Sequence, residues 1–414
     1  MRQRNKYDVI IVGAGASGLM AAAQMQQYDL KILVLEKMQQ AGLKLRITGK
    51  GRCNLTNTMP IDIFLTHCHN GAMLIPSIKN FSNQDTVTFF EHLGVELQEE
   101  RGHRIFPKSG KSLDVFLALM HVLEKNENTD IICRKTVTKL ITDKVRITGV
   151  ECQDEKIFAN AVLLCCGGET YPNTGSNGDG IKLAHNAGHK ITPTMPALVG
   201  LRTKNGHSKY AHNYLVKNVE LSIMTSNGEI LEKDCGDIIL DEYGISGPIT
   251  LKLNRKIAEL INNEQYLKVK IDFKPKINED RLKKEIDKIL KERTGQNIEN
   301  IMRAWLPMEL IKDYKHWLKS CKGKTRLNDN ILTYLKYNTD EIIGDMGWHE
   351  AIITHGGIDL RHVNCLTMES KHIKGLYFAG EILDFDGDTG GFNLQIAFST
   401  AALAAKNIIK SLIR

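Results

Sequence analysis

The sequence predicts an α/β fold: a doubly wound, Rossmann-like sheet assembled from both ends of the chain and interrupted by a long insert. Three observations predict it. An apolar run from Asp8 to Val12 leads into Gly13-x-Gly15-x-x-Gly18 and then into an apolar helix beginning Leu19-Met20-Ala21. A second apolar run, Lys31 to Leu35, ends in an acid, Glu36, eighteen residues past Gly18. At the far end of the chain, Gly375-Leu-Tyr-Phe-Ala-Gly380-Glu381 reads as a further strand and its exit. It is followed by Gly390-Gly391 and a helix from Asn393 to Ile413.

Each element has a physical reason. Continuous apolar runs are the mark of parallel strands buried on both faces. Gly13 permits the tight turn, Gly15 lets backbone approach a pyrophosphate, and Gly18 lets helix and strand pack closely. The helix start then presents unpaired N–H groups and a positive dipole end to phosphates. A carboxylate at Glu36 accepts ribose hydroxyls and repels a 2′-phosphate, which argues against NADP in this site. One glycine motif would suit any dinucleotide. Two glycine segments at opposite chain ends point to FAD, which is long enough to need both.

Directly after Glu36, the loop from Gly42 to Asn57 carries Arg46, Gly49, Lys50, Gly51, Arg52, Asn54 and Asn57. These make poor core material but good polar contacts along a pyrophosphate or over a flavin ring. Arg52 reads equally as an anion-holding residue or as a partner for a carboxylate. Phe158 to Cys166 is another buried strand, ending at Gly167-Gly168. A turn-rich loop from Glu169 to Gly180 follows, with Asp179 placed to cap a helix from Gly180 to Ala187. Asp384 is a candidate partner for a flavin ribityl hydroxyl. The helix after Gly391 would aim its N-terminus at the pyrimidine edge of the flavin and favour the reduced form.

The middle of the chain differs. Residues 196–275 read as short strands: Val219 to Thr225 and Glu229 to Lys233 flank Asn227-Gly228, a type I′ hairpin signal. Tyr266 to Phe273 alternates with period two. Residues 276–344 read as helical, with Leu282, Ile286, Ile289 and Leu290 on one stripe and Pro307 breaking the stretch from Ile298 to Leu318. The expected organisation is therefore a cofactor domain of 1–195 with 345–414, a β-barrel domain of 196–275 and a helical domain of 276–344.

The chain has 414 residues and a net charge of +7 from 55 basic and 48 acidic residues. That excess is mild and does not point to a nucleic-acid partner. Lys283, Lys284, Lys288 and Lys291 sit among acids and read as a solvated helix face. No apolar window is long enough to span a membrane. The basic start, Met1 to Lys6, precedes a nucleotide-binding strand, so it is not read as a leader, and a cytoplasmic location is expected. The nine cysteines form no C-x-x-C pair. Cys53 invites a redox or flavin-linkage role but reads better as a buried packing residue, and the adjacent Cys165-Cys166 point to opposite faces of a strand. His67 and His69 form an H-x-H with no third ligand in view, so no metal is expected. His355, in a glycine turn, is the acid–base candidate the sequence offers, although no catalytic residue is assigned.

Several segments resemble the BaiN/YhiN-type FAD-dependent oxidoreductases, also described as NAD(P)/FAD-dependent or aminoacetone-oxidase-like flavoproteins. They are Val12 to Gly18, Gly49 to Asn57, Arg104 to Ser109, Tyr171 to Gly180, Gly244 to Pro248, Thr367 to Ser370 and Gly375 to Gln395. The resemblance implies a glutathione-reductase-type FAD domain with an inserted barrel and helical piece. It implies cofactor contacts at Gly13, Gly15, Gly18, Glu36, Lys37, Gly51, Asn54, Gly167, Gly380, Glu381, Asn393 and Leu394, and by backbone at Val137; Ala16, Ser17, Arg46, Asp384 and Gly391 are further cofactor-binding candidates. Lys50 departs from the glycine common in the family. The expected activity is hydride transfer through flavin N5. An NAD(P)H-dependent reductase of an activated C=C bond in a small organic substrate leads. No second glycine motif marks a stable nicotinamide domain, so NAD(P)H would visit transiently. The alternatives are an oxygen-using amine oxidase, an RNA-associated flavoprotein and a non-catalytic FAD-binding protein.

Overall fold

The computed structural model describes residues 6–153, 155–263, 266–320 and 326–413. Cys321, one of the nine cysteines, lies outside the described residues. The chain divides into two compact units: residues up to Thr194 together with those from Ile353, and Met195–Ile352.

In the first unit, β1 (Lys6–Val12), α1 (Ala16–Met25), β2 (Ile32–Leu35), β3 (Thr129–Ile132), β4 (Glu155–Leu164), β5 (Ile353–Ile358), β6 (Leu376–Phe378) and α2 (Phe392–Leu412) frame the site. Five of the strands form a parallel run in the order β6-β4-β1-β2-β3. The chain's two ends thus meet in one sheet, through β6 beside β4 beside β1. Val9 to Leu35 supply fully buried side chains such as Ile10, Ile11, Leu19, Leu33 and Val34, each contributing about 1.5–3 kcal/mol on removal from water. α2 packs on α1 and buries Ile396, Phe398, Ala401, Leu403, Ala404, Ala405 and Ile408. Its alanines let two helices approach one sheet face closely.

The register aligns the carboxyl ends of the strands. Val12 is opposite both Leu35 and Leu164, Leu35 is opposite Ile132, and Leu164 is opposite Phe378. The residues that follow Val12, Leu35, Leu164 and Phe378 are predicted ligand positions or their neighbours: Gly13, Glu36, Cys165 through Gly168, and Ala379 through Glu381.

The second unit contains a closed antiparallel barrel of six strands. In spatial order these are Leu201–Thr203, Gly244–Ser246, Ile230–Asp241, Tyr214–Thr225, Leu267–Asp272 and Asn338–Asp345. The last of these comes after the helices Glu279–Glu292, Ile298–Met302, Met308–Ser320 and Leu327–Tyr337. Strands and helices therefore interleave, rather than occupying 196–275 and 276–344 separately. A helix the sequence reading did not anticipate, Pro248–Asn262, also lies within the strand-rich stretch. Pro248 at its first turn and buried Ile249, Leu253 and Ile257 at helical spacing explain it. On Glu279–Glu292, Leu282 and Ile286 are buried while Lys283 and Lys288 pair with Glu279 and Glu292.

The hairpin at Asn227-Gly228 forms, but its turn is not type I′. Only Gly228 has positive φ, 89°. Gly228 N–H donates to Thr225 O at 3.0 Å and Thr225 N–H to Glu229 O at 2.9 Å. This is a three-residue loop, a type I turn closed by a left-handed glycine.

His189 is a buried element of the first unit. Its Nδ1–H donates to Ala184 O at 3.1 Å, its Nε2 accepts from Ser370 Oγ at 2.8 Å, and its ring packs edge-on against Phe378. Both hydrogen bonds suit the neutral ring, and burial holds its pKa down at about 4. The unfolded ring titrates near 6.5, so the unfolded state binds the extra proton first. Stability from this residue is intact above that pH and is lost as pH falls toward 4, by up to about 3 kcal/mol. Urea unfolding from pH 7 to 4 should show this loss in the wild type and a smaller one in His189→Gln. Equal pH dependence in the two would contradict the assignment.

Candidate active site

The turn after β1 has the geometry its glycines imply. Gly13 sits at φ 104°, where a Cβ would also lie 2.6 Å from Cys165 O, and a Cβ on Gly18 would lie 1.9 Å from Gly13 O. Gly15 is different: a Cβ there would meet no atom within 4 Å. It precedes α1, whose N-terminus has no side-chain cap. Open space over uncapped N–H groups suits an anion, and Ala16 and Ser17 belong to the same first turn.

Glu36 ends β2 with both carboxylate oxygens bonded to backbone. Its Oε2 accepts from Ala14 N–H at 3.0 Å and its Oε1 from Met38 N–H at 2.9 Å. These bonds orient the carboxylate at the end of β2 and leave each oxygen a second lone pair for a hydroxyl. Lys135 N–H donates to Glu36 O at 2.9 Å, which brings the segment running to Val137 alongside. Lys37 turns elsewhere: its Nζ meets Asp179 Oδ2 at 2.6 Å and Asn177 Oδ1 at 2.5 Å. Asp179 is correspondingly not the cap of its helix. It lies in the first turn of Asp179–Asn186, behind an N-cap at Gly178.

The far end of the chain supplies the other half. Gly380 has φ 81°, and a Cβ would lie 2.1 Å from Ser17 Oγ, so this turn touches α1 directly. Glu381 is the hub of the site. Its Oε2 pairs with Lys44 Nζ at 2.6 Å, and its Oε1 accepts from Thr170 Oγ1 at 3.0 Å and from Thr354 N–H at 2.9 Å. Four segments distant in sequence are thereby tied together, near Gly167 (φ 73°) and Gly168. Sequence reasoning missed Lys44, Thr170 and Thr354, which pair with Glu381 across 27 to 337 positions and leave no local signal.

Asn54 and Asn393 act on the backbone around the α2 start. With its amide oriented to satisfy its neighbours, Asn54 Oδ1 accepts from Gly391 N–H at 3.0 Å, and its Nδ2 donates to Thr56 O and Ile105 O. Asn393 Oδ1 accepts from Gly387 N–H, and its Nδ2 donates to Gly387 O, both at 2.8 Å. Gly391 precedes α2 at φ 99°, and a Cβ would lie 2.3 Å from Thr56 O. Leu394 is partly exposed in the first turn. Arg46 points away from this group, to Gln40 Oε1 at 2.8 Å and over the Phe116 ring. Arg52 pairs with Glu100 and stacks on Phe106.

Gly49, Lys50, Gly51 and Cys53 are all left-handed, with φ of 57°, 57°, 82° and 59°. At Lys50 this is a conformation glycine adopts without strain. The Cys53 thiol is fully buried, and burial pushes its pKa up, as it does Cys166 to about 12. Neither supports a thiolate role.

The H-x-H pair finds partners that the sequence reading did not see. An antiparallel bridge between Cys68 and Gly387 sets His67 opposite Asp388 and His69 opposite Asp386. His67 Nδ1 meets Asp388 Oδ2 at 2.7 Å, and His69 Nε2 lies 3.6 Å from Asp384 Oδ1. His355 Nδ1 donates to Asp386 Oδ2 at 2.6 Å, and His69, His355 and Asp386 each offer a ligand-type atom within 4.8 Å of the others. Asp384 Oδ2 accepts from Thr192 Oγ1 at 2.9 Å, while its buried Oδ1 has no hydrogen-bond partner among the described residues. The spacing of Asp384, Asp386 and Asp388 matches that of His67 and His69, and this period of two was the available signal.

The profile of the HI0933-like protein Rossmann domain matches residues 7–407. The 3-dehydro-bile acid Δ(4,6)-reductase of Clostridium scindens is 29% identical over 406 residues, covering 96% of this chain and 97% of that protein. The ribosomal RNA dihydrouridine synthase of Escherichia coli is 24% identical, covering 98% of each. Among solved structures, the 3-ketosteroid-Δ4-(5α)-dehydrogenase of Rhodococcus jostii superposes with a TM-score of 0.53 at 13% identity, covering 99% of this chain and 98% of that one. This last likeness is one of fold.

Two predictions follow from the geometry. Glu36→Gln keeps the shape and removes the charge, so the FAD Kd should rise roughly tenfold or more, on the scale of 1.5–3 kcal/mol for a charged hydrogen bond. A fluorescence titration with an unchanged Kd would contradict the ribose assignment. Lys50→Gly relieves a left-handed backbone and should stabilise the protein by about 1 kcal/mol, read as a higher urea midpoint. A lower midpoint would contradict it.

Proposed function

The chain belongs to the HI0933-like Rossmann family of FAD-dependent oxidoreductases, and from that premise we propose that it reduces a C=C bond conjugated to a carbonyl, with NAD(P)H as the electron donor. The observation that carries this reading is the pair of glycine turns brought together at the carboxyl ends of one sheet, with Glu36 on one side and the α2 start on the other. When bound there, FAD supplies hydride chemistry at flavin N5.

The residues present fit that cofactor. Gly13, Gly15 and the first turn of α1 would hold the pyrophosphate, and Glu36 the adenosine ribose. Gly380, Glu381 and the Gly390-Gly391 turn would hold the flavin half. In that half, Glu381, Asn54 and Asn393 act chiefly by fixing backbone. Their side chains are already engaged by Lys44, Thr170 and Thr354, by Gly391, and by Gly387. The uncapped N-terminus of α2 would stabilise negative charge on a reduced flavin.

The named relatives support the bond class. A Δ(4,6)-reductase of a 3-dehydro bile acid and a dihydrouridine synthase both saturate C=C bonds conjugated to a carbonyl. A small organic enone is the substrate class proposed for this chain. A uridine base in RNA is the second reading. It is favoured by the full-length match to two ribosomal RNA dihydrouridine synthases.

Anaerobic stopped-flow tests this reading. NAD(P)H should bleach the bound flavin, and a 3-oxo-Δ4,6 steroid should restore its colour. Restoration by a ribosomal RNA fragment instead, with dihydrouridine formed, selects the second reading. Flavin that NAD(P)H leaves oxidised but an amine reduces would overturn both.

A further inference from the structure

We propose that His355, oriented by Asp386 and supplied with protons through His69, is the proton donor of this site. The inference rests on the reductase reading above and adds the residue that completes the reaction.

Hydride delivery satisfies only half of a C=C reduction. When hydride reaches the β-carbon, the π pair moves toward the carbonyl, and the α-carbon must then bond a proton. Without a placed acid that proton comes slowly from water, and a positioned acid is worth roughly 10²–10⁴-fold.

The described residues place one group suited to this between the two glycine turns. His355 lies on β5 next to Thr354, which bonds Glu381 and receives Glu169 N–H at 2.7 Å. Asp386 lies between Gly380 and Gly390 on the same connection. The pair is therefore bracketed by the segments assigned to the flavin half. Its hydrogen bond is short and buried, with side-chain exposure of 5% and 0%. Binding Nδ1 to a carboxylate fixes the ring's orientation and tautomer, so that Nε2, on the side away from Asp386, exchanges the proton. The carboxylate also stabilises the imidazolium.

A donor must be recharged. The His69 ring lies 4.6 Å from the His355 ring, and its side chain is 32% exposed, which joins the buried pair to solvent. Asp384 faces the same cluster through Oδ1, which lies 3.6 Å from His69 Nε2 and has no hydrogen bond among the described residues. Burial raises its carboxyl pKa above the usual range, against the opposing pull of the Thr192 hydrogen bond and of His69 and His355. Two carboxylates and two imidazoles, with Thr192 as the neutral neighbour, make a group able to hold and pass one proton. The balance is complete: one hydride and one proton add across the double bond, and the imidazole left neutral regains its proton from water through His69.

The test uses His355→Gln and Asp386→Asn in the FAD-loaded protein, with cyclohex-2-enone or the 3-oxo-Δ4,6 steroid as acceptor. Flavin bleaching by NAD(P)H should change less than about threefold in both variants. Reoxidation by the enone should fall roughly 10²–10⁴-fold in His355→Gln, and less in Asp386→Asn. Independently of turnover, proton NMR of the cofactor-free wild type should show a strongly downfield imidazole N–H that both substitutions abolish. Reoxidation unchanged in His355→Gln overturns the inference while leaving the reductase reading intact. Failure of the wild-type flavin to reoxidise with any C=C acceptor overturns the reductase reading itself. Purified protein carrying one equivalent of a divalent metal, lost in His69→Ala, would also overturn it, by making the cluster a metal site.

Discussion

The site depends on the alignment of strand ends in one parallel sheet. Val12, Leu35, Leu164 and Phe378 are level with one another. The chain therefore leaves the sheet at one edge in four places and must find four turns there. Ligands in such sheets bind beyond the carboxyl ends because that edge exposes helix N-termini and loop backbone. A one-residue slip of β6 against β4 would move Gly380 off Ser17 and Glu381 off Lys44. The fold thus restricts which residues can serve at these corners, and glycine is required where backbone comes close to a would-be Cβ, as at Gly18, 1.9 Å from Gly13 O, and Gly391, 2.3 Å from Thr56 O.

Much of the polar chemistry at this edge serves to hold backbone rather than to face a ligand. Glu381 spends both oxygens on Lys44, Thr170 and Thr354. Asn54 and Asn393 pin the start of α2 and the loop before it. Preorganised donors need no rearrangement when charge develops, and this is where protein sites gain most over water. The same logic applies to the His–Asp ladder, where backbone pairing of residues 67–69 with 386–388 fixes each imidazole against a carboxylate.

The two glycine motifs, Glu36 and the strands around them were legible in the sequence because sterics leave few residue types at such turns. The barrel hairpin was legible too, but the Asn227-Gly228 pair does not reveal that Ser226 belongs to the loop, so the turn type was misread. The helix Pro248–Asn262 was overlooked because its apolar spacing sat among strand signals. Lys44, Thr170 and Thr354 were out of reach for another reason. Their contacts join residues separated by tens to hundreds of positions, and a single sequence carries no record of such pairing. Lys37 and Arg46 look like cofactor residues by position, yet their side chains are claimed by Asp179 and by Gln40.

The central claim is that residues from both chain ends hold one FAD. The direct measurement is calorimetric titration of FAD into the cofactor-free wild type and into Gly391→Val, with thermal unfolding to confirm that the variant is folded. The wild type should bind one FAD per chain, and the folded variant, whose new side chain collides with Thr56 O at the far end from the first glycine motif, should bind at least roughly tenfold more weakly, a difference of about 1.4 kcal/mol. A wild type that takes up no FAD, or a variant that binds it equally well, would contradict the account.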